Sequence, residues 1–213
     1  MINKLFCIAT ACVLPFISSA SYASNRYFFE KKGVPECYIE YTNKNRDYLT
    51  QVFAPYDHQK SEACIIEKAN QFAHECNNNN SDSCYRYGLI IEPDDYSRSF
   101  QTLYPQYSFP KAYNSFKRAC DLGNVRGCYK TGYYLLEGLG TRKNDDMGIN
   151  LLEQACNRSI SQACMALGQH YLSESVGVNA ISEMYYMKKA VQFYGKACDY
   201  GNEEGCRQYA IYK

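Results

Sequence analysis

Several features that define large classes of protein are scarce or missing in this chain of 213 residues. It has no tryptophan, only six prolines and a net charge of +1, with acidic and basic residues interspersed. This balance gives no electrostatic basis for binding nucleic acid or an anionic membrane surface. Beyond the first residues, no apolar run approaches the roughly 18 residues that a membrane-spanning helix needs. We therefore expect no nucleic-acid partner and no insertion into a membrane after any leader is removed.

Motifs that hold metals and cofactors are also missing from the sequence. It contains no C-x2-C pair and no glycine-rich phosphate-binding loop. The three histidines, His58, His74 and His170, are scattered along the chain. We expect neither a metal nor a cofactor.

The first 23 residues have the pattern of a cleavable export signal. Lys4 gives a positive start, residues 5 to 17 are largely apolar, and Ser21-Tyr22-Ala23 has the small-x-small pattern of a cleavage site. The sequence predicts cleavage after Ala23 and a periplasmic or secreted mature protein. Cleavage also removes Cys7 and Cys12 and leaves an even number of cysteines, as expected for disulfides in an oxidising compartment.

Eight of the remaining ten cysteines recur in pairs with the same spacing. The second cysteine always follows the first by eight residues, in Cys76/Cys84, Cys120/Cys128, Cys156/Cys164 and Cys198/Cys206. Because each pair has similar neighbours, the chain is built from an internal repeat. Such regular spacing predicts a disulfide within each pair, and Cys37 is then left for Cys64.

The residues around each pair predict two helices joined by a tight turn. Large side chains stand four residues before the first cysteine at Phe116, Leu152 and Tyr194, which places them on one helical face. Gly or Asn follows the first cysteine closely, and both tolerate the left-handed backbone that ends a helix. Four residues after the second cysteine stands a small residue, which predicts close approach of a neighbouring helix: Gly88, Gly132, Gly168 and Ala210.

The predicted organisation has three parts. Residues 1–23 are the signal peptide, residues 24–57 an irregular, aromatic-rich N-terminal cap, and residues 58–213 an all-α stack of about four helical hairpins. The spacing between repeats predicts two insertions in the loops between hairpins, near 92–110 and 173–184. The final hairpin, which has no following unit in the sequence, is expected to cap the stack.

The repeats resemble Sel-like repeats, which are relatives of tetratricopeptide repeats. More narrowly, they resemble the Helicobacter cysteine-rich protein family of secreted bacterial proteins. The pattern is A-C-x7-C-x3-G, as in Ala119-Cys120 through Cys128 to Gly132. The resemblance covers about residues 60–213 and implies a superhelical αα-hairpin solenoid stapled by disulfides within the repeats. A mitochondrial respiratory-chain assembly factor has similar repeats, so the fold alone does not decide the function.

The same resemblance implies an enzymatic alternative, because some of these proteins are described as binding or slowly hydrolysing β-lactams. Three fragments superficially match serine β-lactamase motifs: Ser81-Asp82-Ser83, Ser108-Phe109-Pro110-Lys111 and Lys130-Thr131-Gly132. The order of the fragments is wrong, and Gly132 is already explained as a repeat position on a helix. We therefore expect no catalytic residue, and a weak β-lactamase stays the alternative.

Aromatic residues in the insertions are the better candidates for a binding site. Tyrosine has a large contact area and few rotatable bonds, which suits interfaces. The alternative is that these rings fill grooves between helices. The candidates are Phe100, Tyr104, Tyr107, Phe109, Tyr185 and Tyr186. We expect an exported monomeric scaffold that binds a protein or peptide; resemblance to repeat-containing immunity proteins adds neutralisation of a periplasmic toxin as a further alternative.

Overall fold

The structure is a computed structural model, and it describes residues 32–37, 58–93 and 108–213. Within these ranges the chain forms eight α helices, one 3-10 turn at Pro35–Cys37 and no β strand. In chain order the helices are α1 His58–Asn77, α2 Ser81–Ile91, α3 Phe109–Asp121, α4 Val125–Glu137, α5 Asp145–Asn157, α6 Ser161–Glu174, α7 Ala180–Asp199 and α8 Glu203–Tyr212. The predicted all-α class is confirmed.

The chain divides into two compact units. The first comprises residues 1–74 and 94–105, and the second comprises residues 75–93 and 106–213. In the first unit, a disulfide joins the 3-10 turn to α1 through Cys37 and Cys64, whose Cα atoms are 5.4 Å apart. The predicted signal peptide and most of the predicted cap at 24–57 lie outside the described residues.

The second unit consists of helical hairpins that all turn in the same way. In the α3/α4 turn, Gly123 adopts a left-handed conformation with φ of 87°. Its N–H donates to the carbonyl oxygen of Cys120, and the Asn124 N–H donates to that of Ala119. This pair of bonds is the Schellman motif, which satisfies carbonyl groups at the end of a helix. The Asn124 side chain then accepts from the Gly127 N–H at 3.0 Å and starts α4.

The other turns repeat this backbone design with different residues at some positions. The left-handed residue is Asn79, Ser159 or Gly201, with φ of 65°, 64° and 80°. In the α5/α6 turn the glycine or asparagine is thus replaced by Ser159, and Ile160, the residue before α6, makes no capping bond through its side chain. A serine in this conformation is strained, so this turn is the least favourable of the four.

A disulfide closes each hairpin directly beside its turn. The Cα atoms are 4.6 Å apart in Cys76–Cys84, 4.4 Å in Cys120–Cys128, 4.8 Å in Cys156–Cys164 and 4.5 Å in Cys198–Cys206. The backbones can approach this closely because a small residue precedes seven of these eight cysteines, Cys76 being the exception. A Cβ atom added to Gly127 would lie 2.7 Å from the Cβ of Ala119. The predicted intra-repeat disulfides are confirmed.

Consecutive hairpins interlock through a glycine on one and a large side chain on the next. A Cβ atom on Gly88 would lie 2.5 Å from the ring of Phe116, and one on Gly168 would lie 2.5 Å from the ring of Tyr194. Gly132 makes the equivalent approach to Leu152 at 3.0 Å. All three partners are buried. The small-residue position therefore serves packing, as predicted, and the hairpins form an αα-hairpin solenoid.

The second insertion differs from its prediction. Residues 173–184 were expected to form a loop, but α6 continues to Glu174 and α7 begins at Ala180. The Asn179 side chain caps α7 by accepting from the Ser182 N–H at 3.1 Å. The inserted residues therefore mainly lengthen α7, because an N-cap is followed by a sequence with helical periodicity.

We predict that Ser159→Gly raises the free energy of unfolding by about 0.5–1 kcal/mol, since glycine adopts a left-handed conformation without strain. Gly201→Ala is the matched control. No atom lies within 4 Å of the added Cβ, so only the backbone conformation changes, and we expect a loss of about 1 kcal/mol. Denaturant titration of the oxidised proteins measures both. A destabilised Ser159→Gly variant would contradict the strain assigned to this turn.

We predict that Gly168→Ala lowers the free energy of unfolding by about 1–3 kcal/mol, because the methyl group would overlap the buried ring of Tyr194. Ala210 occupies the same repeat position in α8 but is exposed. Its replacement by glycine should cost only the helix propensity, about 0.5–1 kcal/mol. Thermal unfolding compares the two variants. Equal stability of Gly168→Ala and the parent would show that the contact is not a packing requirement.

Candidate binding surface

The six predicted aromatic residues have different environments. Phe100, Tyr104 and Tyr107 lie outside the described residues. Phe109 begins α3 and is half-buried. Its ring packs edge-on against that of Tyr134, with the two ring centroids 6.2 Å apart. Tyr186 is half-buried, whereas Tyr185 beside it is 55% exposed. Among the described candidates, Tyr185 is therefore the ring with the most surface available to a partner.

The two ends of the first insertion are held together by the backbone. The N–H of Ser108 donates to the carbonyl oxygen of Ile91 at 3.0 Å. Ser108 is also the N-cap of α3, and its hydroxyl accepts from the Lys111 N–H. The insertion therefore leaves α2 and enters α3 at a single fixed point.

A polar cluster ties this point to the second hairpin. Both carboxylate oxygens of Glu92 accept from the Lys130 ammonium, at 2.7 and 2.8 Å. The hydroxyl of Tyr134 donates to the same carboxylate at 2.9 Å. The Glu92 and Lys130 side chains are only 15% and 17% exposed. If Glu92 moved away, the Lys130 ammonium would be left unpaired and poorly solvated. The cluster therefore holds Glu92 in position.

The pKa of Tyr134 is raised by this environment. Burial has the largest effect, and the charge of Glu92 and the hydrogen bond to it act in the same direction. Burial similarly raises the pKa of Tyr194 to about 12. Both tyrosines therefore stay neutral in the folded protein at pH values where an exposed tyrosine begins to ionise.

The three fragments that match β-lactamase motifs have structural roles. Ser81 is the first residue of α2, and Ser108 caps α3. Residues 130–132 lie within α4, as the repeat predicts, whereas the K-T-G motif belongs on a strand. The Lys130 ammonium is bound to Glu92, and the Thr131 hydroxyl donates to the carbonyl oxygen of Gly127 at 2.8 Å. Each fragment is thus accounted for by capping, packing or ion pairing.

The start of α7 carries an apolar surface that the sequence reasoning located only in part. Outside the predicted tyrosine pair, Ile181 is 78% exposed and Met184 is 69% exposed. Together with Tyr185 they follow the i, i+3, i+4 spacing of one helical face. This spacing and the capping Asn179 were visible in the sequence. The predicted loop at 173–184 took neither the spacing nor the cap into account.

A series of aromatic ring contacts links this surface to the core. The ring centroids of Tyr185 and Tyr186 are 5.4 Å apart, those of Tyr186 and Tyr171 are 6.5 Å apart, and those of Tyr171 and Phe193 are 5.6 Å apart. The Lys189 ammonium lies 6.0 Å from the Tyr185 centroid and 5.8 Å from that of Tyr171. Because Phe193 and Tyr171 belong to the buried core, these ring contacts anchor the first turns of α7 to the core.

The remaining site predictions concern metals and membranes. Within the described ranges, no group of three or more His, Cys, Asp or Glu side chains could hold a metal ion. Likewise, the helices in these ranges are too short or too polar to cross a membrane.

We predict that Tyr134→Phe lowers the free energy of unfolding at pH 7 by about 1–2 kcal/mol, because Glu92 loses a buried hydrogen bond. The variant should also lose less stability on going above pH 10. In the parent, the raised pKa favours the neutral phenol in the folded state, so the contribution is complete below the unfolded-state pKa near 10 and falls as pH rises.

Urea titrations between pH 8 and 11.5 test this prediction, with Tyr200→Phe as a control at a 40% exposed ring. Identical pH dependence of the unfolding free energy in the parent and Tyr134→Phe would show that burial does not raise the pKa of this phenol.

Comparison with known proteins finds similarity to one repeat family. Residues 81–101, 125–159 and 161–202 match the Sel1 repeat family, and the three matches begin at the first residues of α2, α4 and α6. Cytochrome c oxidase assembly factor 7A of Xenopus laevis is 24% identical, over 79% of each chain. A crystal structure of a Sel1 repeat protein from Oxalobacter formigenes is 17% identical with a TM-score of 0.44, covering 66% of this chain and 96% of the other.

Proposed function

We propose that the chain is a Sel-like repeat protein that acts as an exported, monomeric scaffold and binds another protein or a peptide. Sel1 repeats generally mediate protein–protein interaction. The observation that supports a binding role here is the exposed aromatic and aliphatic surface at the start of α7, on a stack whose hairpins are each closed by a disulfide.

Rigidity favours this role. A partner that binds a preorganised surface avoids the entropic cost of ordering it. The disulfides and the glycine contacts between hairpins hold the helices in place, and the ring of Tyr186 packs edge-on against that of Tyr185. Helical solenoids use such fixed surfaces to recognise extended partners.

The cysteines together with the predicted leader support export. Five disulfides are consistent with an oxidising, extracytoplasmic compartment. We propose that the chain is cleaved after Ala23 and works in the periplasm or outside the cell. Fractionation and N-terminal sequencing test this part, and a mature protein that begins at Ser24 is the expected result.

Binding is tested with the oxidised mature chain as bait in an extracytoplasmic extract, followed by titration of each retained protein in purified form. We expect at least one partner to bind directly with a saturable isotherm. The same chain, reduced and alkylated, is the control and should not bind, because its hairpins are no longer closed. Turnover of nitrocefin by the oxidised protein with no direct partner would overturn the scaffold proposal in favour of an enzyme.

A further inference from the structure

The hairpin disulfides differ in their exposure to solvent. Three of them lie in hairpins that another described hairpin follows. In Cys76–Cys84 and Cys156–Cys164 every cysteine is at most 5% exposed, whereas both cysteines of Cys120–Cys128 are partly exposed. In this set of three, Cys120–Cys128, which we name the middle bridge, is therefore the one that a reagent in solution can reach.

A basic side chain from the following hairpin lies beside each of the two covered bridges. The Arg118 guanidinium donates to the carbonyl oxygen of Asn77 at 3.1 Å, and the Lys196 ammonium donates to the side-chain oxygen of Asn157 at 3.2 Å. Each asparagine directly follows the first cysteine of its bridge. These two contacts, which we name latches, join one hairpin to the turn of the hairpin before it.

The hairpin that follows the middle bridge has glutamine at the latch position. Arg118 and Lys196 each stand two residues before the first cysteine of their own hairpin, and Gln154 holds this position in α5. Its side chain donates to Asn150 on the same helix. Within the part of the chain that the structure describes, Gln154 makes no hydrogen bond to the α3/α4 turn. The exposed bridge is thus the one without a latch.

Packing by the neighbouring alanine does not distinguish the three bridges. Ala119 packs against Cys76–Cys84, and Ala155 and Ala197 hold the same position in the next two hairpins. All three alanines are fully buried. Because this part of the interface is the same at each junction, the latch is the difference that accompanies exposure.

The positions of the two sulfur atoms determine which one leaves when the middle bridge is attacked. Cys120 lies in the last turn of α3, next to Asp121, whereas Cys128 lies in the first turn of α4. A helix N-terminus stabilises a thiolate, and a helix C-terminus beside a carboxylate does not. An external thiolate that attacks the Cys120 sulfur forms a mixed disulfide there and releases Cys128 as a thiolate, so the numbers of disulfides and thiolates are unchanged.

From this pattern we propose that the middle bridge is a thiol-exchange site, at which a small-molecule thiol opens one hairpin while the bridges beside a latch stay closed. The inference is independent of the proposed scaffold function. In an oxidising compartment the bridge stays closed, and it opens when thiol is supplied. The backbone bonds of the α3/α4 turn and the contact of Gly132 with Leu152 do not involve sulfur, so the opened hairpin keeps its place in the stack.

The test exposes the full oxidised chain to 2-mercaptoethanol, a small neutral thiol, in the presence of iodoacetamide, which caps each released cysteine. Peptide mapping by mass spectrometry then gives an initial rate for each bridge. We expect Cys120–Cys128 to open at least about tenfold faster than Cys76–Cys84 or Cys156–Cys164. Early in the reaction, the mercaptoethanol adduct should lie on Cys120 and the acetamide group on Cys128.

Reciprocal variants test the role of the latch. Gln154→Arg restores a basic side chain at the latch position, where Asp121 is the counterpart of the two asparagines, and should slow the opening of the middle bridge at least about threefold. Gln154→Met is the control, since methionine is similar in size and cannot donate, and it should open like the parent. Lys196→Gln removes a latch and should speed the opening of Cys156–Cys164 by a similar factor.

Urea separates access in the folded state from access through unfolding. At urea concentrations well below the unfolding transition, opening of the middle bridge should not change, and circular dichroism checks that each variant is folded. Equal rates at all three bridges, or a rate at the middle bridge that rises with urea as steeply as the others, would refute the inference. An adduct on Cys128, or a Gln154→Arg variant that opens as fast as Gln154→Met, would also refute it.

Discussion

The approach of two helices within a hairpin, closed by a sulfur bridge across its turn, is the constraint on which the solenoid depends. It requires a left-handed residue in the turn, an asparagine or its substitute to start the second helix, and small side chains beside the cysteines, as at Ala119 and Gly127. Once the turn has this geometry, Cys120 and Cys128 are fixed 4.4 Å apart between Cα atoms. The glycine that receives Phe116, Leu152 or Tyr194 can then sit at one constant position in each hairpin.

The repeated parts of this architecture could be predicted because the same physical requirement recurs in the sequence. Gly88, Gly132 and Gly168 have one role and one spacing, so three instances support a single interpretation. Irregular parts gave no such repetition. The insertion before α7 was expected to be a loop, because the spacing between repeats places the added residues between two hairpins. The capping Asn179 and the apolar period that follows it were the stronger signal.

Contacts between distant residues were beyond sequence reasoning. Glu92 ends α2, whereas Lys130 and Tyr134 lie one turn apart in α4, and only the folded stack brings the carboxylate within 2.9 Å of the tyrosine hydroxyl. Similarly, the composition could point to Tyr185 and Tyr186 but not to which ring is covered. The stack of Tyr186 on Tyr171 decides that. Whether a candidate residue can contact a partner therefore depends on how much of its side chain the neighbouring residues cover.

The hydrogen bond between Ser108 and Ile91 has an evolutionary consequence. Because this bond joins the end of α2 directly to the residue that caps α3, the junction between the two hairpins is closed by the backbone itself, and a change in the length of a loop costs little entropy. The same stack of hairpins can thereby accommodate different connecting segments at this position.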